Sequence, residues 1–258
     1  MANPALNEKT FAPERLRTFD PRVAFGDTGA PARPATMTVE GVVARSAALF
    51  PILVATAWLG WRSVHRTELG VRVPAWILPG LLVGLGIAVL TVFRPKLSPY
   101  TAPAYAAVEG LVVGAVSAIY DIQFNGIVLQ AVMLTGAVFV IMLGLYTSRR
   151  IRVTDKLRTT VMVATMAVVA VYAVSLLLRL FGAGVPMIHD SGPIGILFSL
   201  AVVGIASFNL LLDFDLIERG VANGAPKWME WYGAFALLVT LVWLYLELLR
   251  LLSKLRSR

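Results

Sequence analysis

Seven long apolar stretches follow one another after about residue 43, and that pattern leaves few folds open to the chain. They run over 43–61, 75–93, 101–120, 127–146, 159–181, 193–216 and 231–254. Each is long enough, at about 1.5 Å of rise per residue, to cross about 30 Å of hydrocarbon as a helix. Turn and loop signals separate them: Arg94-Pro95-Lys96, Asn125-Gly126, Arg149-Arg150-Ile151-Arg152 and Gly182-Ala183-Gly184. The expectation is an all-α integral membrane bundle of seven transmembrane helices over 43–258, preceded by an arm over 1–42, with no internal repeat.

Composition agrees. The chain is 58% hydrophobic and 15% charged, against about 45–50% apolar for an ordinary globular domain. It has no cysteine, which excludes disulfides, thiolate catalysis and cysteine metal sites. Two histidines, His65 and His189, leave little for a transition-metal centre. No resident cofactor is expected. The net charge of +8 is not a nucleic-acid signature, because the basic residues cluster between apolar segments. The first 42 residues lack the apolar core of a signal peptide, and their Ala, Pro, Thr and charge read as a mobile cytoplasmic arm.

With the N-terminus inside, inner segments carry 15 of the 23 Lys and Arg and outer segments 8, so the positive-inside rule favours that orientation. The basic C-terminal tail is discordant; a re-entrant seventh segment would return it inside, but a full span is the preferred reading. Small residues mark close helix packing, with Gly80, Gly84 and Gly86 on the second span and Gly110, Gly114 and Ser117 on the third.

Three spans carry acids that hydrocarbon does not accept freely, at about 2.5–3.5 kcal/mol on insertion scales. Glu109 falls near the middle of the third, as a structural polar contact or as part of an ion or proton route. Asp213 and Asp215 close the sixth; two residues apart, they point about 200° from each other on a helix. One is expected to face the bundle and the other headgroups or water. Glu247 and Arg250, three apart in the seventh, stack on one helix face, either as an ion pair or with Arg250 locking Glu247 to an acid elsewhere.

Enzymatic signatures are missing. Tyr120-Asp121 is half of the motif of intramembrane aspartyl proteases, without a later Gly-x-Gly-Asp. No Gly-x-Ser-Gly occurs, and His65 and His189 both fall in connecting segments. The expectation is no enzyme.

Asp213 behind a Leu-rich sixth span, and Leu244-Tyr245-Leu246-Glu247 in the seventh, resemble the paired acidic positions of the Bax inhibitor-1 family. The stretch from Gly126 to Thr135 is similar to bacterial members, and the likeness covers about 43–255. The resemblance implies six helices around a central seventh, and a pH-sensitive Ca2+ leak sensed by two acids and latched by a basic residue. By that likeness Asp213 is the first acid, Glu247 the second and Arg94 the latch, with Asp213 and Glu247 the transient Ca2+ ligands. Glu in place of Asp in the seventh span, and a longer connection between the acids, depart from the family pattern.

Depth arithmetic does not itself join the acids. A seventh helix starting at Trp231 puts Glu247 about 24 Å along it. A start near Phe235, with an interfacial turn over 227–233, shortens the gap without closing it. The functional expectation is a pH-sensitive cation leak in the bacterial cytoplasmic membrane, with lipids, protons and Ca2+ as partners. The alternative is a membrane-embedded modulator that contacts a protease or another membrane protein through its arm. Deleting 1–42 separates them, since a channel survives the loss and an adaptor does not.

Overall fold

The computed structural model describes residues 36–67, 70–181 and 192–257, so the His189 site lies outside the described residues. Among these, seven helices alternate in direction: α1 (Val39–Arg62), α2 (Ile77–Phe93), α3 (Ser98–Gln123), α4 (Ile127–Thr147), α5 (Asp155–Leu180), α6 (Pro193–Ala222) and α7 (Met229–Arg256). Six are long and apolar enough to cross a membrane; α2, at 17 residues, is shorter. The expected all-α membrane bundle is observed.

Local chemistry sets the boundaries. Thr38 caps α1 by accepting from the Gly41 N–H at 3.0 Å, and Arg62 closes that helix at its electronegative end. Pro95 follows directly after the C-cap Arg94 of α2 and opens a single 3-10 turn into α3. Gly126 precedes α4 at φ +76°, a left-handed conformation that favours glycine. The connection before α2, expected as a plain loop, carries a two-stranded hairpin, β1 (His65–Thr67) and β2 (Gly70–Arg72), paired His65 to Arg72.

Contacts at the helix termini fix which ends lie together. Glu230 at the start of α7 bonds Thr38, and the Ser98 hydroxyl donates to the Trp228 carbonyl at 3.2 Å. At the far end, Arg256 donates to the Asn125 carbonyl at 2.8 Å and to Gln130 at 2.9 Å. The α7 helix therefore runs unbroken from the Thr38 end to the Arg256 end, and the re-entrant alternative does not occur. Its start at Met229 also removes the interfacial turn expected over 227–233.

The α7 helix packs on α1, α3, α4 and α6, and Arg250 reaches Tyr172 on α5, so it is central as expected. The main core runs through Ile127, Leu210, Leu211, Leu244 and Leu249. The tightest seam is between α1 and α3. A Cβ on Gly114 would fall 1.9 Å from the Ala57 carbonyl oxygen, and one on Gly110 would fall 2.0 Å from the Thr56 hydroxyl. Gly60 answers from α1, where a Cβ would meet the Leu111 carbonyl oxygen at 2.0 Å. In lipid, such backbone approach drives association. Gly86, by contrast, faces open space.

Candidate functional site in the α6–α7 hairpin

Six residues, 223–228, connect α6 to α7, so the two helices run antiparallel and their residues pair outward from that turn. Asp213 lies nine positions before the end of α6, about 13 Å from it. The side chain that meets it across the hairpin is Thr240, itself 7% exposed. Tyr232, two turns earlier on α7, is within electrostatic reach. Asp213 Oδ2 is enclosed and has no hydrogen-bond partner. No cation forms an ion pair with this carboxylate among the described residues.

Glu247 sits elsewhere. Being seven residues past Thr240, it lies about 10 Å further along α7. Only 2% exposed, it accepts from the Tyr172 hydroxyl at 2.9 Å and from Arg250 at 3.0 and 3.1 Å. Arg250 also donates to the Tyr172 oxygen at 2.5 Å and stacks over that ring at 4.7 Å. The triangle gives the Glu247 carboxylate and the Tyr172 hydroxyl partners within the bundle. The intrahelical ion pair read from the i, i+3 spacing is therefore present, and the Asp213–Glu247 carboxylate pair implied by the resemblance is not formed. The reason is register: an antiparallel hairpin with a six-residue turn sets Thr240, not Glu247, across from Asp213.

The remaining acids of the hairpin are clamps. Asp215 is on the other side of α6 as its spacing requires, but it is only 8% exposed and does not face headgroups or water as expected: it receives Arg158 from α5 at 2.5 Å and Arg219 at 2.9 Å. Glu218 takes Arg149 and the Tyr146 hydroxyl, both from the α4 end. That hydrogen bond holds Arg149 above its already high ordinary pKa, so the pair stays ionised. Glu230 is fully buried and ties α7 to the start of α1 through the Thr38 N–H at 3.1 Å and the Thr38 hydroxyl at 2.9 Å, while Lys227 of the turn pairs with it at 3.0 Å. Each of α1, α4 and α5 is thus fastened to the hairpin by one buried or half-buried acid.

Glu109, 8% exposed, faces α2, where a Cβ on Gly84 would come 2.9 Å from its Oε2. Like Asp213, it has no ion-pair partner among the described residues. Arg94 caps α2 at the Thr38 end, exposed and paired with neither acid. Sequence reasoning missed Thr240, Glu230, Arg158 and Tyr172. Thr240 had a signal, as a hydroxyl within an apolar run eleven residues into α7, close to the nine that separate Asp213 from the end of α6. Glu230 was hidden by its place beside Trp231 in what read as an interfacial segment. Among the described residues, no group of three or more His, Cys, Asp or Glu comes together to hold a metal ion.

A bundle of apolar helices, sealed internally by ion pairs at their ends, defines a multi-pass membrane protein. The family model described as Bax inhibitor 1 like matches residues 3–257. The chain belongs to that family, and the match takes in the N-terminal arm as well as the bundle. Comparison with curated proteins gives no match.

Proposed function

We propose that the protein is a pH-sensitive cation leak of a bacterial cytoplasmic membrane, with its N-terminus cytoplasmic, working by transport and not by catalysis. The observation that carries this reading is the enclosed, partnerless Oδ2 of Asp213. Every other acid on α6 and α7 has a cation beside it. A lone carboxylate at this depth is stable as the acid or with a passing cation, and either state answers to pH.

In the protonated form Asp213 makes a neutral α6–α7 seam with Thr240. Loss of the proton leaves an anion and a hydroxyl oxygen facing each other, which suits a hard cation such as Ca2+. Two side chains supply far fewer oxygens than the six to eight of a resident Ca2+ site, so the ion passes and is not stored. Flux therefore rises with pH. Glu109 lies on the α2–α3 side of the same bundle as a second unpaired acid along the route. Glu247 and Arg250 brace α5 against α7, and Arg94 is free to approach from the Thr38 end.

Purified protein in liposomes loaded with a Ca2+ indicator tests this. Wild type should pass Ca2+ faster as pH rises, and Asp213→Asn should not respond. A folded wild type with no flux above empty liposomes would refute the reading and leave the membrane-embedded modulator in its place.

A further inference from the structure

The α1 and α4 helices stand apart, and between them opens a cavity of about 620 Å³ floored by α3 and α7. Its walls include Val54 and Trp58 of α1, Val132 and Gly136 of α4, and Leu241 and Tyr245 of α7. Only three hydroxyls reach it, and each is already satisfied. Ser117 bonds the Tyr245 hydroxyl at 2.6 Å, and Thr135 donates to the Ala131 carbonyl at 2.7 Å. Those hydroxyls are turned to protein partners and the rest of the wall is aliphatic and aromatic, so the chemistry it offers an occupant is mainly that of hydrocarbon.

The position of the cavity identifies its source. It runs from the middle of α1 to Trp61, one residue before the Arg256-end terminus of that helix. Exposed Val54 and Val132 place its mouth on the faces that α1 and α4 turn to lipid. At the upper rim, the Arg62 guanidinium lies over the Trp58 ring at 6.0 Å. Arg62 has no carboxylate partner among the described residues. An apolar slot at hydrocarbon depth with an unpaired cation at the headgroup level is complementary to one molecule type.

We infer that this groove is a binding site for a phosphate-bearing glycerolipid of the leaflet at the Arg256 end. One acyl chain fills the space between α1 and α4, and the phosphate meets Arg62. The bound chain completes the wall between α1 and α4. The inference is independent of ion conduction.

Protein stripped of lipid in detergent is titrated with phosphatidylglycerol and with diacylglycerol, and bound lipids are counted by native mass spectrometry. Nothing lies within 4 Å of a Cβ built on Gly136, so Gly136→Phe starts its side chain in open space and fills the groove from α4. Val54→Trp fills it from α1, should the first variant not fold. Wild type should hold one phosphatidylglycerol more tightly than diacylglycerol. The filled variants should lose both lipids while keeping the wild-type melting temperature. Arg62→Gln should weaken phosphatidylglycerol by roughly tenfold, to the diacylglycerol level, as expected for one charge-assisted contact. Unchanged binding in a folded filled variant would overturn the site, as would a dimer mass that disappears on filling, which would make a second copy the occupant. Equal binding of the two lipids by wild type would overturn the role of Arg62.

Discussion

Asp213 on α6 faces Thr240 on α7 across an antiparallel hairpin, and its Oδ2 is enclosed with no hydrogen-bond partner. Glu247, about 10 Å further along α7, is held by Arg250 and Tyr172. The two acids that the family likeness pairs thus do opposite things. One is left without a counter-charge and the other is fully neutralised.

Their stabilities should therefore respond in opposite directions. Asp213→Asn removes a carboxylate that no cation compensates, so its melting temperature in detergent should equal or exceed wild type. Glu247→Gln strands Arg250, whose side chain is 34% exposed. It should lower stability by about 2 kcal/mol, less than a fully buried pair would, because solvent or headgroups screen the freed guanidinium. Chemical or thermal unfolding of both variants checks the contrast.

The α1–α3 seam should be intolerant of bulk. Gly114→Leu would force a side chain into the Ala57 backbone, where even a Cβ comes within 1.9 Å. A loss of about 2 kcal/mol or more is expected. Gly86→Leu on α2, which meets nothing within 4 Å, should be neutral. Paired thermal melts decide it.

The arm deletion that separates channel from adaptor should be cut at residue 35, not 42. Met37 and Val42 are buried, and Thr38 both caps α1 and bonds Glu230. A chain starting at Val43 should lose the cap, worth about 1 kcal/mol, and leave Glu230 buried with fewer partners. A chain starting at Thr36 should melt as wild type. Thr38→Ala in the full chain should reproduce part of the loss.

How far the sequence discloses this structure follows from what each interaction depends on. Helix number and the all-α class are properties of local hydropathy and are legible directly, although α2 is too short to count among the six helices of membrane-spanning length. The opposed faces of Asp213 and Asp215, and the Glu247–Arg250 pair, depend only on helical periodicity and were legible too. The partner of Asp213 depends on the register of α6 against α7, which hangs on where the turn begins and ends. Moving the start of α7 from Phe235 to Met229 shifts that register by six residues, nearly two turns. Clamps such as Glu230 to Thr38, 192 residues apart, leave no local trace. The hairpin over 65–72 escaped because short strands in a loop carry no periodicity.

The most direct test of the account is the pH dependence of Ca2+ entry into liposomes containing wild type, Asp213→Asn or Glu247→Gln, from acidic to mildly alkaline pH. If Asp213 alone is the sensor, wild-type flux rises with pH, Asp213→Asn is flat, and Glu247→Gln keeps the wild-type response at whatever absolute rate its stability allows. A flat profile for folded Glu247→Gln, or a persistent pH response in Asp213→Asn, would contradict it.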